Sequence, residues 1–231
     1  MVENAFSFNG VSSADFHMLV SGYGTYDAPQ RDITMLTVAG RSGDLTLDNG
    51  RFENVDVTYK AAFYSGLNEN YKAFNAYMAN QKGYKRLEDT FHNDEYRLGV
   101  YKGGLNPKLK GYDMASVEIK FNCKPQRYLK AGDETLTFTQ TGTLYNPTAF
   151  EARPLIRLYG SGTLTVNGVE LTVTDIEAGD YIDIDSEMMD AFKGTTNLNA
   201  KISGEFPVLK SGENTITYSG DFEIKPRWYV L

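Results

Sequence analysis

Arg153 to Val173 reads RPLIRLYGSGTLTVNGVELTV, and its reading decides the fold. Leu155, Arg157 and Tyr159 alternate with Ile156 and Leu158. Gly160-Ser161-Gly162 then turns the chain, Thr163 to Val166 runs back, Asn167-Gly168 turns it again and Val169 to Val173 runs forward. Asn-Gly is the strongest short hairpin signal, because both turn residues tolerate φ > 0. Three short strands with two tight turns make a β-meander, and no helical period competes with it.

Composition agrees with a mainly β chain. Sixteen Tyr and thirteen Phe among 231 residues suit pleated, half-buried surfaces. The net charge of −7 gives no basis for counterion release, so a dedicated nucleic-acid binder is not expected. A single cysteine, Cys123, excludes an internal disulfide and reads as a small residue in a strand. A catalytic thiol there would need His17 or His92 beside it. MVENAFSFNGVS has neither a basic n-region nor an apolar h-region, so no signal peptide is expected and folding in a cytoplasm is. No window reaches the roughly 20 apolar residues of a membrane span.

Before that stretch, strands are expected at Ala5–Phe8, Phe16–Ser21 and Ile33–Val38, with a loop marked by Gly22, Gly24 and Pro29. Ala39 to Val55 reads as a protruding loop or hairpin arm, since its interior aliphatic residues are only Leu45 and Leu47. Gly40-Arg41-Ser42-Gly43 within it reads as a turn with a solvated arginine. Val55 to Phe63 alternates cleanly, Val55, Val57, Tyr59, Ala61 and Phe63 facing one way. The period then changes: Leu67, Tyr71, Phe74 and Met78 predict one amphipathic helix over 68–80, capped by Ser65 or Asn68 and ended by Gly83. Strands follow at 84–87, 96–101 and 112–123, with His92 in a solvated polar turn. A metal there would need further ligands. Lys124 to Asp133 leads out of the last strand, and the domain boundary is placed here, giving domains 1–130 and 131–231.

After Val173, Asp183 and Asp185 share a strand face. They read as a solvated acidic edge, with a calcium site or a glycosidase carboxylate pair as alternatives. Met188 to Leu198 reads as a loop or short turn, and Thr215–Tyr218 with Asp221–Ile224 as a hairpin about Ser219-Gly220. The only tryptophan, Trp228, reads as core.

The order of these signals resembles a family. A strand-rich first half with one helix and a Gly-Arg-x-Gly loop leads to Asn146-Pro147-Thr148 and Arg153-Pro154-Leu155-Ile156-Arg157. Gly160-x-Gly162, Asn167-Gly168 and Ile184-Asp185-Ser186-Glu187 come next. Gly204-x-Phe206-Pro207-x-Leu209, Gly212-x-Asn214 and Pro226-Arg227-Trp228 finish the pattern. Together they resemble the distal tail proteins of siphophages that infect Gram-positive bacteria, over essentially the whole chain.

The resemblance implies a mainly β fold: an N-terminal β-sandwich-like domain with one α-helix and a projecting arm, then a C-terminal galectin-like β-sandwich. It implies a virion structural protein of the tail tip, made in the host bacterial cytoplasm. Such a protein forms a homohexameric ring at the distal end of the tail tube and links it to tail-tip, baseplate and receptor-binding proteins. Gly40, Arg41, Ser42, Gly43, Asp44, Leu45 and Leu47 would belong to the ring-interface arm. It implies no enzyme, cofactor, metal, membrane or specific nucleic acid. DNA would pass through the lumen, and an acid-lined lumen would repel its phosphates. No inserted carbohydrate-binding domain is expected in 231 residues. Two other classes remain open: a carbohydrate-binding module for host-surface glycans, which would need an exposed aromatic platform, and a baseplate hydrolase using Asp183 or Asp185.

Overall fold

The computed structural model describes residues 4–22 and 27–231. Gly24, part of an expected loop, lies outside them. The chain divides into two compact units. One runs to Arg127 and takes in Leu231; the other is Tyr128–Val230.

The first unit begins with β1 (Phe6–Phe8), β2 (Val11–Ser12) and β3 (Met18–Ser21). Asn9 and Gly10, both at positive φ, turn β1 into β2. Where a strand was expected from Phe16, a short 3-10 turn at Ser13–Phe16 intervenes. Ser12 and Asp15 cap it reciprocally, and His17 leaves it in the left-handed conformation. The chain continues through β4 (Arg31–Leu36), β5 (Leu45–Phe52), β6 (Val55–Phe63), α1 (Leu67–Ala79), β7 (Lys85–Asp89), β8 (Glu95–Tyr101), β9 (Lys108–Leu109) and β10 (Ala115–Leu129). One sheet runs β2-β1-β7-β8-β10-β6-β3, with β9 on β10. β6 and β10 form its centre and pair antiparallel from Val55↔Cys123 to Phe63↔Ala115. The alternation in β6 appears as expected: Val55, Val57, Tyr59, Ala61 and Phe63 are all buried.

That buried face is aromatic. Phe6 stacks on Tyr59 at 4.9 Å, and Phe121 meets Phe8 at 4.9 Å and Phe6 at 5.6 Å. The helix closes the same core through Phe74 and Met78. Phe74 lies 6.3 Å from Phe63 and 5.3 Å from Phe16. The helix start differs from the expected side-chain cap. Its N-cap is Gly66, and neither Ser65 nor Asn68 supplies the cap. Instead the carboxylate of distant Asp113 accepts the Gly66 and Leu67 N–H groups at 2.6 and 2.9 Å. A carboxylate there satisfies orphan donors and meets the positive end of the helix dipole. Asp113→Ala is expected to lower stability by about 1 kcal/mol in chemical denaturation, the usual worth of a cap.

The second unit holds β11 (Leu136–Asn146), β12 (Leu155–Tyr159), β13 (Gly162–Val166), β14 (Val169–Val173), β15 (Tyr181–Asp185), β16 (Asp190–Lys193), β17 (Thr196–Asn197), β18 (Ile202–Gly204), β19 (Gly212–Lys225) and β20 (Tyr229–Val230). Two expectations fail here. Met188–Leu198 is not a loop: β16 and β17 form a tight hairpin about Gly194, at φ 59°. The expected hairpin at Ser219-Gly220 is one continuous strand, β19.

That strand builds the unit. On one edge it pairs with β11 from Gly212↔Asn146 to Ile224↔Leu136, with a bulge where β11 passes Gln140. On the other edge Ile216 and Thr217 pair with β13, while Phe222 to Lys225 pair with β12. One strand therefore runs through both leaves of a sandwich. One leaf is β17-β16-β15-β12-β19 and the other β19-β13-β14-β18. Ile156, Leu158, Ile182, Ile184, Phe222 and Ile224 from the first leaf are buried with Leu164, Val166, Leu171, Val173 and Ile216 from the second. At the last strand pair Gly204 sits at φ +112°, and a Cβ there would lie 2.3 Å from the Glu170 carbonyl oxygen, so only glycine fits.

The fold class is thus the expected one: mainly β, two curled sheets, one α-helix among the described residues, and a separate two-stranded arm.

Candidate assembly interface and the charged pairs of the second unit

The arm is the β4–β5 hairpin, which pairs with no other strand among the described residues. Its ladder runs Ile33↔Asp48, Thr34↔Leu47, Met35↔Thr46 and Leu36↔Leu45. Directly opposed residues share a face. One face therefore carries Thr34, Leu36, Leu45 and Leu47, and the other Ile33, Met35, Thr46 and Asp48. None is buried: Leu45 is 40%, Leu47 53% and Met35 59% exposed. Gly40 and Gly43 take positive φ at the tip, where the Arg41 N–H donates to the Val38 carbonyl.

The base of the arm is held by charges. Arg31 pairs with Asp48 at 2.8 Å and Arg51 with Asp32 at 2.6 Å, both across the ladder. Asn49 also donates to Asp32 at 2.9 Å, and Thr37 to Asp44 at 3.0 Å. The Asn49 and Arg51 hydrogen bonds hold the Asp32 carboxyl below the usual range, and the Gly50 N–H together with Arg31 does the same for Asp48. Of the sequence-expected arm residues, Leu45 and Leu47 lie on one face, Asp44 bonds Thr37, and Gly40 to Gly43 form the tip. Ile33, Met35 and Leu36 were missed as arm residues because 33–38 reads as an ordinary strand. The signal available was its pairing partner, the Thr/Leu alternation of 45–47.

The expected solvated edge of Asp183 and Asp185 is overturned. β15 is flanked by β12 and β16, so it is no edge. Asp183 is 6% and Asp185 7% exposed. Arg157 grips Asp183 through Nε and Nη2 at 2.8 and 3.0 Å, and its guanidinium lies 4.2 Å over the Tyr181 ring. Arg227 grips Asp185 at 2.7 and 2.9 Å, and Asp185 also accepts the Glu187 and Met188 N–H groups. Burial raises the Asp185 carboxyl, but the Arg227 fork and these N–H groups outweigh it and hold it below the usual range. A carboxylate with its oxygens occupied by a guanidinium is poorly placed to act as acid or nucleophile.

The motifs that carry the resemblance are largely structural. Asn146 Oδ1 accepts the Thr148 N–H and hydroxyl, both at 2.9 Å, folding Asn-Pro-Thr into a buried turn. Asn214, fully buried, donates to the Lys210 and Gly212 carbonyls and accepts from Lys210 N and Asn167 Nδ2. Pro-Arg-Trp and Ile-Asp-Ser-Glu meet through the Arg227–Asp185 pair. Trp228 is buried in the sandwich core.

In the first unit, His92 is not solvated. Asp89 accepts its Nδ1 at 2.9 Å, the His92 and Phe91 N–H groups, and the Tyr59 hydroxyl at 2.7 Å. Burial, with the Asp89 carboxylate, pushes the Tyr59 hydroxyl well up. Burial also pushes the Cys123 thiol up to about 12. Iodoacetamide at pH 8 is therefore expected to leave Cys123 unmodified in the native protein and to alkylate it after denaturation, read by mass spectrometry. Rapid native labelling would refute this. No group of three or more metal-ligating side chains is found among the described residues. No helix there is long and apolar enough to cross a membrane.

A mainly β chain of two units, with a free arm on the first and a sandwich sharing one long strand as the second, defines a class of fold also seen among phage tail proteins. Among the solved structures that the chain is similar to is the SPP1 Dit (gp 19.1) protein, described as a paradigm of the hub adsorption apparatus in Gram-positive infecting phages. The two are similar with a TM-score of 0.76 over 99% of each chain, at 13% sequence identity. The resemblance drawn from the sequence motifs therefore holds in the fold. No protein-family model and no curated protein matches the chain.

Proposed function

We propose that the protein is a structural component of a phage tail. It forms a ring at the distal end of the tail tube and joins the tube to tail-tip, baseplate and receptor-binding proteins in the virion. The observation that carries this is the likeness over 99% of both chains to a hub protein of the phage adsorption apparatus. The exposed arm supports it, since a free apolar hairpin on each copy is suited to a head-to-tail contact that closes a ring. The first unit, 1–130 in the sequence reading, supplies the ring, and the second, galectin-like unit faces outward to anchor partners. The work is done by interface geometry without catalysis, which accords with the arginine-neutralised aspartates and the buried thiol.

The acid-lined lumen is not part of this reading. Positions 1–127 carry fifteen basic and fifteen acidic side chains, while 128–230 carry eight and fifteen. The whole −7 is therefore carried by the second unit and not by the unit proposed to line the ring.

Light scattering with negative-stain imaging tests the proposal. Rings of about six times the chain mass are expected, alone or on added tail tubes. A strict monomer under both conditions would overturn it.

A further inference from the structure

We propose that the solvent face of the first unit's sheet is a docking surface for a carboxylate-rich segment of another protein. The helix and the aromatic core occupy one face of that sheet; on the other, alternate residues of β6 and β10 are exposed or half-buried. Across it lies a groove of about 550 Å³. Lys60 projects from β6 and Lys120 from β10, with Lys108 and Lys110 on and just after β9. All four are exposed, and among the described residues none of their ammonium groups is in an ion pair. Elsewhere Lys193 pairs with Asp180 at 2.5 Å and Lys102 with Asp56 at 3.6 Å, whereas other lysines such as Lys72 and Lys82 are in no ion pair among the described residues. Among the described residues the only acidic side chain lining the groove is Glu118, opposite Lys60 in the ladder. Because this unit as a whole carries balanced charge, four unpaired lysines on one face are a local concentration and not the overflow of a basic domain.

The groove's chemistry selects the occupant. Among the described residues its lining has no arginine to fork a phosphate and no aromatic ring to stack a base, the two devices that usually secure nucleic acid. Lysines act as point charges that suit carboxylates at varied angles. Ser21, Asn106 and Ser116 add hydrogen-bonding groups for a peptide backbone, and Glu118 can accept a backbone N–H between the partner's acids. A phosphate chain would meet Glu118 as a like charge. The protein's own arm is not the occupant by charge, since 31–52 carries three arginines against three aspartates.

The test uses the full chain and a short fluorescein-labelled poly-glutamate peptide, read by anisotropy. Saturable binding that weakens with added salt is expected. The K60E/K120E variant is expected to bind at least about tenfold more weakly, while K72E/K82E, changed on and just after the helix, binds as wild type. No saturable binding would overturn the proposal, as would equal loss in both variants. Tighter binding of a short DNA duplex through the same lysines would identify a nucleic acid instead. Loss of self-association in K60E/K120E would identify a second copy.

Discussion

Replacing Leu45 and Leu47 together with serine is expected to leave the protein folded and unable to form rings. Both side chains lie on one face of the arm with Leu36, and all three are exposed in the single chain. Removing them costs the isolated chain little, within about 0.5 kcal/mol per site, because no buried contact is lost. The assembled state is different. If a neighbouring copy covers this face, each leucine contributes on the order of 1.5 to 3 kcal/mol of burial at every contact. A ring needs every contact to close, so the loss repeats around it. The measurement is paired: thermal unfolding to show an unchanged midpoint, and light scattering to show the shift from ring to monomer. Rings of unchanged size would place the contact elsewhere and remove the arm from the proposed interface.

Arg227→Ala is expected to destabilise the second unit by about 3 kcal/mol. Removing one member of a buried pair strands the other charge, and Asp185 is 7% exposed. The low end of the usual range applies because the Arg227 side chain is itself 25% exposed. The effect has a pH signature. With its carboxyl held low in the folded state, Asp185 contributes stability that is present above the unfolded-state value near 4 and is lost as pH falls through the lowered folded value. Once Arg227 is gone the carboxyl no longer has that advantage. The gap between wild type and variant is therefore expected to be widest near neutrality and to narrow below about pH 4. Denaturant midpoints across pH check this, and a gap that widens in acid would refute it. Arg227→Lys, which keeps the charge but loses the fork, should fall between the two.

The parts of the fold legible in the sequence were those with a local cause. Val55 to Phe63 alternates along its whole length because one face meets the aromatic core and the other meets water. The helix announced itself by the change of period after Phe63. The continuity of β19 was hidden because Ser219-Gly220 carries ordinary turn chemistry. What keeps the strand running is long-range: Tyr218 donates to the Gly160 carbonyl at 2.6 Å, and β12 and β13 take successive halves of its edge. Asp183 and Asp185 failed for a related reason. Alternation placed them on one face correctly, but their partners lie 26 and 42 residues away. An acidic pair with no visible basic partner reads as solvated. The capping carboxylate of α1 was likewise invisible, since Asp113 comes 46 residues after the helix start it serves. Of the arm, the tip and one leucine pair were legible from Gly-Arg-Ser-Gly and the Thr/Leu run, whereas the opposing strand looked like any half-buried one.

The ends of the second unit lie side by side. The Leu129 N–H donates to the Trp228 carbonyl and the Arg227 N–H to the Gly132 carbonyl, each at 2.8 Å. A segment that enters and leaves at one seam behaves as a cassette. It can be cut out, closed on itself through a short linker at little entropic cost, or exchanged for another module with adjacent ends. Recombination at that seam would change what the protein presents while sparing the aromatic core and the arm. Diversity among related chains is accordingly expected to concentrate on one side of the seam.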